Sequence, residues 1–98
     1  MSEIVVHRTH GMTLKQARKA AEKIATELAE EFSLNCEWNS NVLHFRRTGL
    51  SGELSVAKRD VEIRVQLGFL LMALRPKIEH EIHRYFNENF GHETKTRV

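Results

Sequence analysis

Between residues 34 and 67 apolar and polar side chains alternate with a period of two, while the segments on either side carry the longer period of a helix. Leu34, Cys36 and Trp38 share one face of a first short strand, and Asn39, Ser40 and Asn41 supply turn chemistry after it. Leu43 and Phe45 continue the apolar face, Thr48-Gly49 turns the chain again, and Leu50, Gly52, Leu54 and Val56 alternate along the next strand. Residues 57–60 make a further turn into Val61, Ile63, Val65 and Leu67. The apolar positions keep one side throughout, so Cys36 is expected to point inward as an inert small hydrophobe.

Register gives an independent check, because a slip of one residue would send the whole apolar set to solvent. A turn at Thr48-Gly49 sets Phe45 opposite Gly52 and Leu43 opposite Leu54, so the aromatic ring can cover the glycine. The next hairpin then pairs Leu54 with Ile63. On the outer face the same registers set His44 near Glu53 and Glu53 opposite Arg64, a charge pair expected to support the sheet.

Before this meander, residues 3–10 (EIVVHRTH) have the β-branched content of a strand, which Gly11 ends. Thr13 then caps a helix, with Gln16 completing a capping box and an apolar stripe at Leu14, Ala17, Ala21, Ile24, Leu28 and Phe32. Alanine in the first half lets that helix approach a sheet closely. Lys15, Arg18, Lys19, Glu22, Lys23 and Glu27 form its solvated face.

After the meander, residues 67–91 (LGFLLMALRPKIEHEIHRYFNENFG) pass from an apolar run through Pro76 into an amphipathic helix. Proline is tolerated in a first helical turn, and Arg75 before it is expected to be extended. Ile78, Ile82, Tyr85 or Phe86, and Phe90 mark the buried face, Gly91 stands where a left-handed terminator is common, and residues 92–98 read as a flexible polar tail. Six consecutive residues, Phe69, Leu70, Leu71, Met72, Ala73 and Leu74, follow a strand that has already filled the inner face. They cannot all point inward. Either they fold over the end of the sheet and close the core, or they form an exposed patch for a protein, lipid or polymer contact, to which methionine would lend adaptability.

The order is therefore strand, helix, four-stranded meander, helix. A sheet apolar on one side only requires both helices on that side, which predicts an α+β two-layer sandwich. Strand order 1-5-4-3-2 makes the five-stranded sheet antiparallel throughout, a reduced helix-grip-like arrangement with one domain over residues 1–91.

A chain of 98 residues at 41% hydrophobic and 29% charged has room for one core, folding alone or as a small oligomer such as a homodimer. The apolar run is too short to span a membrane. A formal charge of +2 with mixed signs makes nucleic acid an unfavoured partner, and one cysteine without a secretory leader favours a reducing cytoplasm. Candidate chemistry is sparse. His80 and His83 share a helix face, yet Glu79 does not stand three residues before either, so the carboxylate-histidine spacing of a metal site is unmet. His7, His10 and His44 are scattered over strands. Ser51 and Ser55 lack a nucleophile elbow, and Gly49, Gly52 and Gly68 do not open a helix as a phosphate loop does. No catalytic residue, metal or cofactor is expected.

Three segments, IVVHRTHGMTLKQARKAAEKIA, LHFRRTGLSGELSV and VEIRVQLGFLLMALRPKIEHEIHRYFNENF, taken in that order, resemble the polyhydroxyalkanoic acid system proteins. These are small proteins named for genes beside those of storage-polyester synthesis. The resemblance covers nearly the whole chain and implies a bacterial cytoplasmic protein associated with polyhydroxyalkanoate granules or with control of their formation. It offers no catalytic residue to carry over, and the first helix is far shorter than those of the phasins that coat such granules. The leading expectation is a non-enzymatic accessory protein that contacts the granule, granule-associated proteins or a hydrophobic ligand through Phe69, Leu70, Leu71, Met72 and Leu74. The alternative is a nucleic-acid-binding regulator using Arg46, Arg64 and their neighbours on the open sheet face.

Overall fold

The computed structural model describes residues 2–90. In chain order these form β1 (Ser2–Thr9), α1 (Leu14–Phe32), β2 (Asn35–Asn39), β3 (Val42–Arg47), β4 (Leu50–Val56), β5 (Asp60–Leu67), a short 3-10 helix (Phe69–Leu74) and α2 (Arg75–Phe90). The expected terminator Gly91 and the tail 92–98 lie outside the described residues. All strands pair antiparallel in one five-stranded sheet of order β1-β5-β4-β3-β2. This is the α+β architecture that the alternation requires.

The registers fall where the hairpins place them, with Phe45 opposite Gly52, Leu43 opposite Leu54 and Leu54 opposite Ile63. Gly52 has no room for a side chain, since a Cβ there would collide with the Arg64 carbonyl and lie 2.8 Å from the Phe45 ring. The phenyl ring takes the space that a Cβ would need. Gly49 turns β3 into β4 at φ 84°, a left-handed conformation that costs glycine little.

α1 starts with the reciprocal cap: Gln16 N–H donates to the Thr13 hydroxyl (3.1 Å) and Thr13 N–H donates to the Gln16 side-chain oxygen (3.2 Å). Ala17, Ala21, Ile24, Ala25, Leu28 and Phe32 are its buried residues. α2 buries Ile78, Ile82, Tyr85, Phe86 and Phe90. These stripes meet the inner face of the sheet in one cluster that includes Ile4, Val6, Leu43, Leu54, Val61, Ile63, Val65 and Leu67. Across the helix pair, the Tyr85 hydroxyl donates to Glu31 Oε1 at 2.7 Å.

Two local expectations need correction. Arg75 is helical (φ −53°, ψ −47°) rather than extended, because its N–H already bonds the Met72 carbonyl and carries the 3-10 helix straight into α2. That continuity outweighs the usual bias of a residue before proline. Cys36 faces Phe45 across the ladder, on the inner side as expected, but is exposed rather than part of the core. β2 lies at the edge of the sheet, where helix cover runs out. Its Trp38 is instead roofed by the Arg18 guanidinium, 3.7 Å from the ring centroid, which also donates to the Ser40 carbonyl at 2.9 Å.

Substituting Gly52 by valine should lower stability by about 1–3 kcal/mol or more, through overpacking against Phe45 and the β5 backbone. A denaturant titration with unchanged midpoint would show that the strand accommodates a side chain. The Glu31 hydrogen bond, then burial, then the Glu31 charge push the Tyr85 phenol up to about 12. A phenol whose folded pKa exceeds its unfolded value adds stability below the unfolded value of 10.0 and loses it as the pH rises toward about 12. Because the chain holds one tyrosine, phenolate absorbance reports this residue alone. The expected midpoint lies well above that of the urea-unfolded chain, and equal midpoints would remove the interaction.

Candidate apolar contact site

The 3-10 helix is built by a geometric conflict between the end of β5 and the start of α2. Gly68 leaves the sheet extended and donates its N–H to the Gly49 carbonyl at 2.8 Å, which ties the departing chain to the β3–β4 turn. Three residues per turn then divide six side chains into three columns, of which one can face the protein. Leu71 takes that place: it packs on the core, and a Cβ on Gly49 would come within 3.2 Å of its Cγ. The other two columns face water: Phe69 is 88% exposed, Leu70 74% and Met72 41%. Leu74 shares the column of Leu71 but is itself 40% exposed.

The run is therefore anchored by one leucine and otherwise uncovered, so the core-closing alternative holds for Leu71 alone. Cations flank the exposed residues. Arg46 and Arg47 end β3 beside the turn that receives Leu71, and together with Ser51 and Gln66 they line a cavity of about 320 Å³ reaching Gly68. Arg75 and Lys77 stand in the first turn of α2, which contains no acidic residue. Arg75 also donates to the Glu3 carbonyl at 3.2 Å and approaches Glu79 at 3.8 Å.

The open outer face of the sheet is different in character. Glu3, Glu37, Glu53, Asp60 and Glu62 outnumber Arg46 and Arg64 on it. Arg64 pairs with Glu62 at 2.7 Å and Glu3 at 3.6 Å, whereas Glu53, its expected partner, approaches His44 at 3.5 Å. A net-acidic face whose Arg64 is already paired repels phosphate, which counts against the nucleic-acid alternative.

His7, His10 and His83 make contacts that serve local structure. His10 donates through Nε2 to the Ala57 carbonyl at 2.9 Å, while its Nδ1 accepts from Met12 N–H at 3.3 Å. His7 lies 3.0 Å from Asp60. His80 and His83 line one depression on α2, but His83 Nδ1 accepts from Arg8 at 3.2 Å, and a guanidinium there repels a metal cation. Arg8 is the residue that sequence reasoning passed over. It is 5% exposed and also donates to the His7 carbonyl (3.0 Å) and to Asn87 Oδ1 (3.3 Å). Its parity with Ile4 and Val6 already placed it on the inner face. The Cys36 thiol is pushed above its ordinary value by partial desolvation, which lowers its thiolate fraction. Among the described residues no three histidine, cysteine, aspartate or glutamate side chains gather as a metal site would require.

Comparison with known proteins fits the fold and the segment order. The model of the family described as "Putative polyhydroxyalkanoic acid system protein" matches residues 4–90, and the chain belongs to that family. No curated protein matches the chain. The NMR structure of PA4090 from Pseudomonas aeruginosa is similar in fold, with a TM-score of 0.59 at 8% identity over 95% of this chain and 88% of that one. At that identity the likeness concerns fold alone.

The division of labour within the 3-10 helix is measurable. Leu71→Ala should cost about 1–2 kcal/mol, less than the roughly 2–5 kcal/mol of a fully buried leucine, because the site is half-buried. Phe69→Ser should stay within about 0.5 kcal/mol of the parent. Equal losses for both in thermal unfolding would mean that Phe69 is a core residue.

Proposed function

We propose that this member of the polyhydroxyalkanoic acid system family is a non-enzymatic accessory protein that contacts the storage-polyester granule, its synthesis machinery or a hydrophobic ligand through Phe69–Leu74. The exposure of Phe69 and Leu70 carries the reading. Single exposed apolar residues are ordinary on a soluble protein, but neighbouring large ones presented on a helical turn mark a contact surface. The family supports the polyester system as the setting, and the cytoplasm, where granules form, as the compartment. No helix of the described residues is long and apolar enough to cross a membrane, which fits contact from one side.

The reading calls for burial of Phe69 and Leu70 on binding, each contributing about 1.5–3 kcal/mol when fully covered. The variant Phe69→Glu/Leu70→Glu should keep the parent circular dichroism and lose at least roughly tenfold in co-sedimentation with purified granules. A folded variant that sediments with granules as the parent does would remove the 3-10 helix from the contact.

A further inference from the structure

Independently of the apolar contact at Phe69–Leu74, we infer that edge strand β2 is the seam of a homodimer, in which the β2 strands of two copies of this chain pair antiparallel about Cys36 and join both sheets into one. The direction of the backbone makes the strand available. Val56 N–H donates to the Asn41 carbonyl at 2.9 Å. Ladder bonds alternate along a strand, so the odd residues of β3 bond β4, and its even residues Val42, His44 and Arg46 bond β2 through Asn39, Glu37 and Asn35. Cys36 and Trp38 therefore direct their N–H and C=O groups at the open edge. The opposite edge is finished differently, since Arg75 and Arg8 occupy the Glu3 and His7 carbonyls of β1. β2 carries no lysine or proline to deter pairing, and its register against β3 runs without a bulge. Its inner side chains also lack full cover: Cys36 is exposed, and Leu34 and Trp38 are half-buried.

Charge selects both the register and the occupant. On the outer face His44 approaches Glu53, and Arg64 approaches Glu62 and Glu3. Glu37 and Arg46 are exposed on the same face and, among the described residues, enter no ion pair of their own chain. A seam centred on Glu37 would oppose two carboxylates directly, which is destabilising. A seam centred on Cys36 instead sets each Glu37 against the Asn35 of the second copy. Asn35 stands opposite Arg46 in its own sheet, so each carboxylate gains an arginine two strand spacings away, about 10 Å, within joint reach of the two side chains. The same register sets Leu34 against Trp38 on the inner face. A twofold axis repeats each contact, so a second copy supplies at once the acid, the base and the apolar pair that the edge calls for. The seam is short, which makes the dimer concentration-dependent.

Sedimentation velocity on the full chain, from about 1 µM to about 1 mM, should show a monomer passing into a dimer. Cys36→Pro removes an edge-facing N–H and leaves the bonds between β2 and β3, so it should weaken the dimer at least roughly tenfold with an unchanged circular dichroism spectrum. Glu37→Lys should weaken it roughly tenfold, and the exchange Glu37→Lys/Arg46→Glu should restore it to within about threefold of the parent. Paired residues at the centre of such a seam have Cα atoms about 5.5 Å apart, so a short bismaleimide should join the Cys36 thiols of two parent chains, and do so far less in Glu37→Lys. A monomer throughout the range would overturn the inference, as would a dimer that both Cys36→Pro and Glu37→Lys leave intact. A dimer dissolved by Phe69→Ser/Leu70→Ser would also overturn it, because the second copy would then sit on the 3-10 helix.

Discussion

One constraint organises the molecule: the sheet is apolar on a single face, and a strand period of two allows no other side for its cover. Ile4, Leu43, Leu54, Val61, Ile63, Val65 and Leu67 are all at most 2% exposed. Their positions follow from register alone, so the inner surface exists as soon as the hairpins pair. Both helices must then lie on that surface, and their buried stripes follow. The outer face needs no cover because it is charged. Edge position explains the exception at β2, where Trp38 is roofed by an arginine and Cys36 stays in water.

Arginine closes the margins of the core. Arg8 reaches α2 from the end of the inner row of β1, and Arg18 holds the β2–β3 turn against α1. Arg47 donates to the Phe32 carbonyl at 3.0 Å, giving the C-terminus of α1 the cation that its own last turn lacks. Arg75 and Arg8 donate to the Glu3 and His7 carbonyls of edge strand β1, drawing on acceptors that another chain would use for pairing. A guanidinium can do this because it keeps its charge, offers several donors and lays its stem along apolar surface. Much of the positive charge in the composition is therefore structural, and a formal +2 does not amount to a basic stripe.

What could be read without coordinates was what depends on period and spacing. Strand order, registers, the capping box at Thr13 and the buried stripes of both helices all follow from local pattern plus the need to hide one face. Details set by competition between neighbours were not legible. Arg75 is helical because the preceding turn donates helical continuity, a fact that its proline neighbour masks. Ser33 ends α1 at φ 58° without the glycine that would signal it. Arg64 prefers Glu62 and Glu3 to Glu53 because direct opposition in register does not choose among three carboxylates within reach. At the candidate site the apolar surplus was visible, but whether it was buried depended on how many columns of a 3-10 helix the end of the sheet could receive.

That last question has a physical answer that bears on function. The connection from β5 to α2 needs one apolar anchor, and Leu71 against Gly49 supplies it. Polar residues at 69, 70 and 72 would make the same turn without exposing apolar surface, so nothing in the fold of the isolated chain calls for Phe69, Leu70 or Met72. Their unfavourable hydration persists in the free protein and is relieved only when something covers them. The Gly68 N–H bond to the Gly49 carbonyl and the unbroken helical run into α2 constrain their backbone, so less conformational entropy is lost when a surface is met. A mobile loop of the same composition would lose that advantage, and would more readily fold its apolar side chains back onto the protein.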